Sequence, residues 1–252
     1  MNKVITDLRQ QILHHLQTIY SEVELEESLD QFCERLLEIM EISPGCHPPA
    51  SHENLWDEGE IAMITYGDSV RQEGKKPLET LHQFLNTYLK ETISSVHILP
   101  FFPYSSDDGF SVIDYTQVNS EFGTWADVGR MGGDFRLMFD AVINHISQES
   151  EWFQSYLAGD PEYASWFIAV EPDEPQNWVP LVVRPRPWTL LTRVQTAAGE
   201  KLVWTTFSED QIDLNYAQPA LLLRVLEILL YYVEKGAQLI RLDAIAYLWK
   251  TI

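Results

Sequence analysis

Four short apolar stretches alternate with helical ones, and this alternation restricts the chain's fold more than any other feature. The stretches are 61–66, 96–102, 136–145 and 236–247, the last carried by Leu239, Ile240 and Leu242. Helical patterns are expected at about 78–90, 124–131, 149–158 and 219–235, the last rich in Leu221, Leu222, Leu223, Val225, Ile228 and Leu229. Spacings of this kind allow the crossovers that parallel strands require, so the units read as β/α. Each strand is followed by polar residues: Asp68, then Asp107 and Asp108, then Asn144 and His145, then Asp243. Parallel α/β folds build their sites at that end. With no glycine-rich phosphate loop after the first strand, a β/α barrel is favoured over a nucleotide-binding doubly wound sheet.

In the last strand, which reads as buried, alternation puts Arg241 and Asp243 on one face and Ile240, Leu242 and Ala244 on the other. Burying either charge alone would cost several kcal/mol, roughly, so the two must face each other, solvent or a ligand. One reading is a structural ion pair at a strand end. The other is a nucleophilic carboxylate at the mouth of a barrel, its charged form stabilised by the guanidinium beside it.

The flanking sequence supplies the organisation. Apolar residues at helical spacing, from Ile5 to Ile19 and from Leu29 to Met40, predict two front helices, and His14 and His15 point to the surface. Ser43-Pro44-Gly45 ends the second helix, and a linker follows over 46–59. The expected divisions are a helical extension and linker (1–58), three β/α units (59–159), an irregular insertion (160–210) and a fourth unit (211–252). Asp+Glu 38 against Lys+Arg 17 gives a net charge of −21, which disfavours nucleic acid or an anionic membrane as partner. Cys33 and Cys46 form no metal-type spacing or disulfide framework. The N-terminus has no signal-peptide pattern and no apolar run is long enough to span a membrane, so the cytoplasm is the expected location.

At this point the motifs form a resemblance. Asp140-Ala-Val-Ile-Asn144-His145, Asp213-Leu-Asn215, Arg241-Leu-Asp243 and Gly109-Phe-Ser-Val-Ile-Asp114-Tyr115 resemble, in order, signatures of the α-amylase superfamily over roughly residues 60–250. His97-Ile-Leu-Pro-Phe-Phe102, Asp107-Asp-Gly-Phe110, Arg184-Pro-Arg186-Pro187 and Leu202-Val-Trp-Thr-Thr-Phe-Ser208 resemble the sucrose phosphorylase-like branch. Residues 106–115 and 210–216, with the front helices, look more like glucosylglycerate phosphorylases. Trp188-Thr-Leu-Leu191 departs from sucrose phosphorylases on a loop that lines the acceptor side in that family.

The resemblance implies an α/β fold: the first half of a (β/α)8 TIM barrel, with an insertion after the third strand and an N-terminal helical extension. It implies retaining transfer of glucose from an α-glucoside to inorganic phosphate. Asp243 would be the nucleophile and Arg241 would hold it. Asp68 and His145 would bind glucosyl hydroxyls, and Tyr115 would line the sugar ring. Arg184 and Arg186, the tightest basic pair in the insertion, are the candidate phosphate clamp, with Arg193 nearby. Asn144 serves a calcium site in many amylases, but no metal and no cofactor are expected in this branch. The family's acid/base glutamate follows the fifth strand and a further aspartate the seventh, and neither is present in this chain. The chain by itself is therefore expected to be inactive: a fragment, a truncated product or part of a split enzyme, able to self-associate through the open half-barrel edge. The alternatives are a hydrolase or transglucosidase on the same barrel, and a non-catalytic sugar-binding remnant.

Overall fold

The computed structural model describes residues 3–25, 27–42 and 57–250. Most of the predicted linker, with Cys46, lies outside them. Helices α1 (Lys3–Ile19) and α2 (Leu29–Ile39) come first, followed by β1 (Ala62–Thr65), α3 (Pro77–Tyr88) and β2 (Ser95–Ile98). Next are α4 (Trp125–Gly132), β3 (Arg136–Ala141), β4 (His145–Ser147) and α5 (Glu151–Ala158). The insertion contributes β5 (Ala169–Val170), β6 (Leu191–Thr196) and β7 (Gly199–Trp204); β8 (Gln211–Asp213), α6 (Pro219–Glu234) and β9 (Ala237–Leu242) follow it.

Strands β1, β2, β3 and β9 form one sheet in that order, with every pairing parallel. This is the first half of a TIM barrel. The inner strands are sealed: Val96, Ile98, Leu137 and Phe139 are fully buried with Leu78, Leu81 and Leu85 of α3. Each such side chain contributes roughly 1.5–3 kcal/mol. Tyr232 of α6 stacks on Phe102, with ring centroids 5.0 Å apart and planes within 7°. The outer strands differ. Leu242 of β9 is 40% exposed and Ile64 of β1 is 64% exposed, because each has a strand neighbour on one side only. The last strand is therefore a half-exposed edge, and the buried strand read from the sequence is corrected here.

The third apolar stretch also divides. Strand β3 stops at Ala141, and His145–Ser147 pairs antiparallel with Gln211–Asp213 instead. The carbonyls freed at this departure are satisfied locally. Tyr115 Oη donates to Val142 O (2.8 Å) and His145 O (3.0 Å), and Tyr216 Oη donates to Ile143 O (2.7 Å). The insertion, which shows little periodicity in sequence, holds a three-stranded antiparallel sheet in the order β5-β7-β6. Its hairpin turns at Thr196-Ala-Ala-Gly199, where Thr196 Oγ1 donates to Gly199 O at 2.8 Å and Gly199 adopts φ 119°, a region suited to glycine.

Helices α1 and α2 pack as a pair. Leu16, Tyr20, Phe32, Leu36 and Leu37 form a second core with Leu223 of α6. Ser28 and Gln31 close a reciprocal capping box at the start of α2. His14 and His15 are exposed.

A buried ion pair ties β8 to the chain after β9. Lys250 Nζ lies 3.0 Å from Asp213 Oδ2 and donates to Asn144 Oδ1 at 3.1 Å. Burial pushes the lysine's pKa down while Asp213 pulls it back up. Removing one partner strands the other charge in the interior. Lys250→Ala is expected to lower stability by about 3–5 kcal/mol, read from urea unfolding; a loss below about 1 kcal/mol would mean that the ammonium is solvated.

Candidate active site

The site begins with the register of β9 against β3, which sets Asp140 opposite Arg241. Asp140 is 0% exposed, and both of its oxygens are occupied. Oδ1 pairs with Arg241 Nη1, and Oδ2 lies 2.7 Å from His97 Nε2 on β2. The same guanidinium reaches forward, its Nη2 3.0 Å from Asp243 Oδ1. Alternation along β9 therefore places Arg241 and Asp243 side by side at the strand's downstream end. The Asp243 backbone N–H donates to Ala141 O at 3.0 Å. Ala244 then takes φ 50°, which ends the strand. Asp243 keeps 16% of its side chain exposed, so it is held and still accessible.

A cleft of about 290 Å³ opens beside it, lined by Tyr66, Asp107, Asp108, Phe110, His145, Arg186, Phe207, Gln211 and Asp243. Ligand pockets run from about 300 to 1,000 Å³, so this one suits a single sugar ring better than an oligosaccharide. Larger grooves, of about 580 Å³ along α2 and α6 and about 610 Å³ by Trp178 and Trp249, do not contain the Arg241–Asp243 pair.

His145 closes the cleft floor. Its Nε2 donates to Phe110 O (2.8 Å) and its Nδ1 accepts from Asn144 Nδ2 (3.2 Å). One ring nitrogen donates and the other accepts, which describes a neutral imidazole. Burial lowers its pKa from the usual value, opposed by the charge of Asp213. Gln211 is buried beside it and donates to Asp107 Oδ2 (3.0 Å) and Phe110 O (3.1 Å). The Asp107-Asp108-Gly109 turn is bent sharply. All three residues have positive φ, and a Cβ on Gly109 would come within 2.5 Å of the Pro100 carbonyl oxygen. Aspartate tolerates this region better than most residues, and glycine is required at the third position.

The cleft thus gathers Asp243, His145 and Arg186, with Arg241 behind Asp243. Three residues expected there lie elsewhere. Asp68 pairs with Arg71 three residues on, and Tyr66 faces the cleft in its place. Tyr115 is buried, with its hydroxyl committed to the two carbonyls where the chain leaves the sheet. It supports the floor and does not line this cleft. Arg184 is half-buried and does not line the cleft; its Nη1 is buried without a hydrogen-bond partner. Arg193 pairs with Glu200 on the insertion hairpin. Sequence reading missed Tyr66, Phe207 and Gln211 as lining residues. Gln211 could have been found from its place two residues before Asp213, in a segment already singled out. Asn144 Oδ1 accepts from Lys250 Nζ at 3.1 Å. Among the described residues no group of three or more His, Cys, Asp or Glu is arranged to hold a metal ion.

Residues 80–251 match the catalytic domain of alpha-amylase. The chain is 57% identical over 196 residues to a glucosylglycerate phosphorylase of Spirochaeta thermophila, covering 78% of this chain and 33% of that one. It is 48% identical over its full 252 residues to a glucosylglycerate phosphorylase of Allomeiothermus silvanus, covering 43% of that protein. The crystal structure of sucrose 6F-phosphate phosphorylase from Thermoanaerobacter thermosaccharolyticum aligns with a TM-score of 0.71 at 31% identity, covering 79% of this chain and 42% of that one. The chain therefore spans less than half the length of these relatives. No helix among the described residues is long and apolar enough to cross a membrane. From the parallel half-barrel, the strand-end carboxylate and these likenesses together, the chain belongs to the alpha-amylase catalytic-domain family, on the branch of the glucosylglycerate and sucrose phosphorylases.

Proposed function

We propose that these four strands carry the nucleophile side of a retaining α-glucoside phosphorylase, with glycerate as the acceptor sugar acid. The observation that carries this reading is Asp243, pinned by Arg241 yet open to a cleft the size of one sugar ring. In the first step an Asp243 oxygen bonds to the anomeric carbon as the glycosidic C–O bond breaks. The bonding pair leaves on the acceptor oxygen, which takes a proton from a carboxylic acid. In the second step a phosphate oxygen returns a proton to that carboxyl group and attacks the same carbon from the face opposite Asp243, which leaves as carboxylate, and glucose 1-phosphate forms with net retention.

Retention needs a second carboxyl group about 5–5.5 Å from the nucleophile. The other carboxylates lining the cleft are Asp107, which already accepts from Gln211, and Asp108. On the family resemblance we assign the acid to a segment outside these four strands, and the chain by itself to an inactive state. Arg186 lines the cleft and makes no ion pair among the described residues, so its guanidinium is available to an anion. The names of the relatives support glycerate, and an anionic acceptor would use the same cation as phosphate. A cytoplasmic location fits this metabolic role.

The test joins this chain to the remaining barrel of the Allomeiothermus silvanus relative and measures glucose 1-phosphate formed from glucosylglycerate and phosphate. Asp243→Asn is expected to lower kcat at least about 10³-fold, or ~4 kcal/mol of transition-state stabilisation. Glucose released at equal rates with and without phosphate would point to a hydrolase instead. Arg186→Ala is expected to raise the KM for phosphate about tenfold or more, near 1.4 kcal/mol, leaving the unfolding midpoint in place. An unchanged phosphate KM would remove Arg186 from the anion site.

A further inference from the structure

Behind the nucleophile lies a chain of groups whose far end has no role in the reading above. His97 sits on β2, buried, with its Nε2 2.7 Å from Asp140 Oδ2. Asp140 can only accept there, so the histidine nitrogen must carry the proton. The other Asp140 oxygen holds Arg241, and Arg241 holds Asp243. From the interior outward the order is donor, carboxylate, guanidinium, carboxylate. We infer that His97 is a positioning residue for Asp243, acting at second hand by keeping Asp140 able to anchor the Arg241 guanidinium. This inference rests on the assignment of Asp243 as nucleophile.

Arg241 is half-exposed, at 45%, on a long side chain with many rotamers. Its charged anchors are Asp140 and Asp243, with the Phe110 ring 5.9 Å from its guanidinium carbon. Once Asp243 becomes a glucosyl ester it carries no charge, and Asp140 alone then keeps the guanidinium in place for the second step. Asp140 is fully buried, so an oxygen deprived of His97 has no water to turn to. The carboxylate must then rotate toward another donor, and that change releases Arg241.

Nitrogen-15 NMR of the 252-residue chain tests this without any turnover. In the unaltered protein the His97 Nε2 signal is expected at the shift of a protonated ring nitrogen; an unprotonated Nε2 would overturn the proposal before any variant is made. The Arg241 Nη signals, assigned by their loss in Arg241→Lys, are expected to be resolved from one another. In His97→Phe they should collapse to one averaged signal, while His97→Gln, which still donates, keeps them apart. A purely structural role would lower the unfolding midpoint of His97→Phe and leave the Arg241 signals resolved, and this too would overturn the proposal. Failure of the phosphorylase reading would appear instead in the Asp243→Asn assay, which these spectra do not touch.

Discussion

One guanidinium divided between two carboxylates governs the geometry of this protein. Asp140 lies wholly inside, where an unpaired carboxylate is not tolerated, and Arg241 and His97 neutralise and satisfy it. This demand also sets strand register. An edge strand with one neighbour and a half-exposed face is weakly specified by hydrophobic pattern alone, and a slip of one residue would turn every side chain over. The pairing of Asp140 with Arg241 penalises that slip, because it would leave a buried charge unpartnered. The position of Asp243, two residues further along, follows from this constraint.

The second constraint is the exit of the chain from the sheet after Ala141. A strand that leaves its ladder exposes carbonyls, and buried carbonyls need donors. Tyr115 and Tyr216 supply them for Val142, Ile143 and His145, and the Leu214 N–H donates to Asn144 O at 2.9 Å. With the backbone satisfied, His145 stays at the cleft floor and the insertion can start and finish at one place. Arg186 enters the cleft from this insertion, while Arg241 and Asp243 come from the sheet. The site therefore joins the end of a sheet strand to the insertion, with Lys250 linking Asp213 to the chain after β9.

Much of this was legible in the residues. Period and length disclosed the parallel order, and i, i+2 spacing put Arg241 beside Asp243. Polar residues after each strand located the rim. What escaped had physical causes. Nothing local marks where β3 ends, because residues 136–147 are apolar enough to run on; the stop comes from β8, which lies more than sixty residues away. Tyr115 looked like a sugar-facing aromatic because motif position carries no side-chain direction, and its hydroxyl was needed inside. Asp68 was drawn aside by Arg71, a short-range pair that strand-end logic does not weigh. The insertion hairpin was obscured because its strands mix charged and apolar residues on a small sheet with few buried positions.

On the proposed reading, the order of chemical steps eases an electrostatic difficulty. Phosphate must enter a protein of net charge −21 and approach Asp107, Asp108 and Asp243 at close range. Distant surface charge matters little, since screening takes hold within about 8 Å at physiological ionic strength; the near groups decide. Arg241 gives little help, because Asp140 and Asp243 already share it. Forming the glucosyl ester removes the charge of Asp243 and leaves Arg241 balanced by Asp140 alone. The anion then meets a cleft one negative charge poorer, with Arg186 still unpaired. A nucleophile that loses its charge before the second substrate attacks thus opens the site to that substrate, and an acidic protein can host an anionic one without a strongly basic surface.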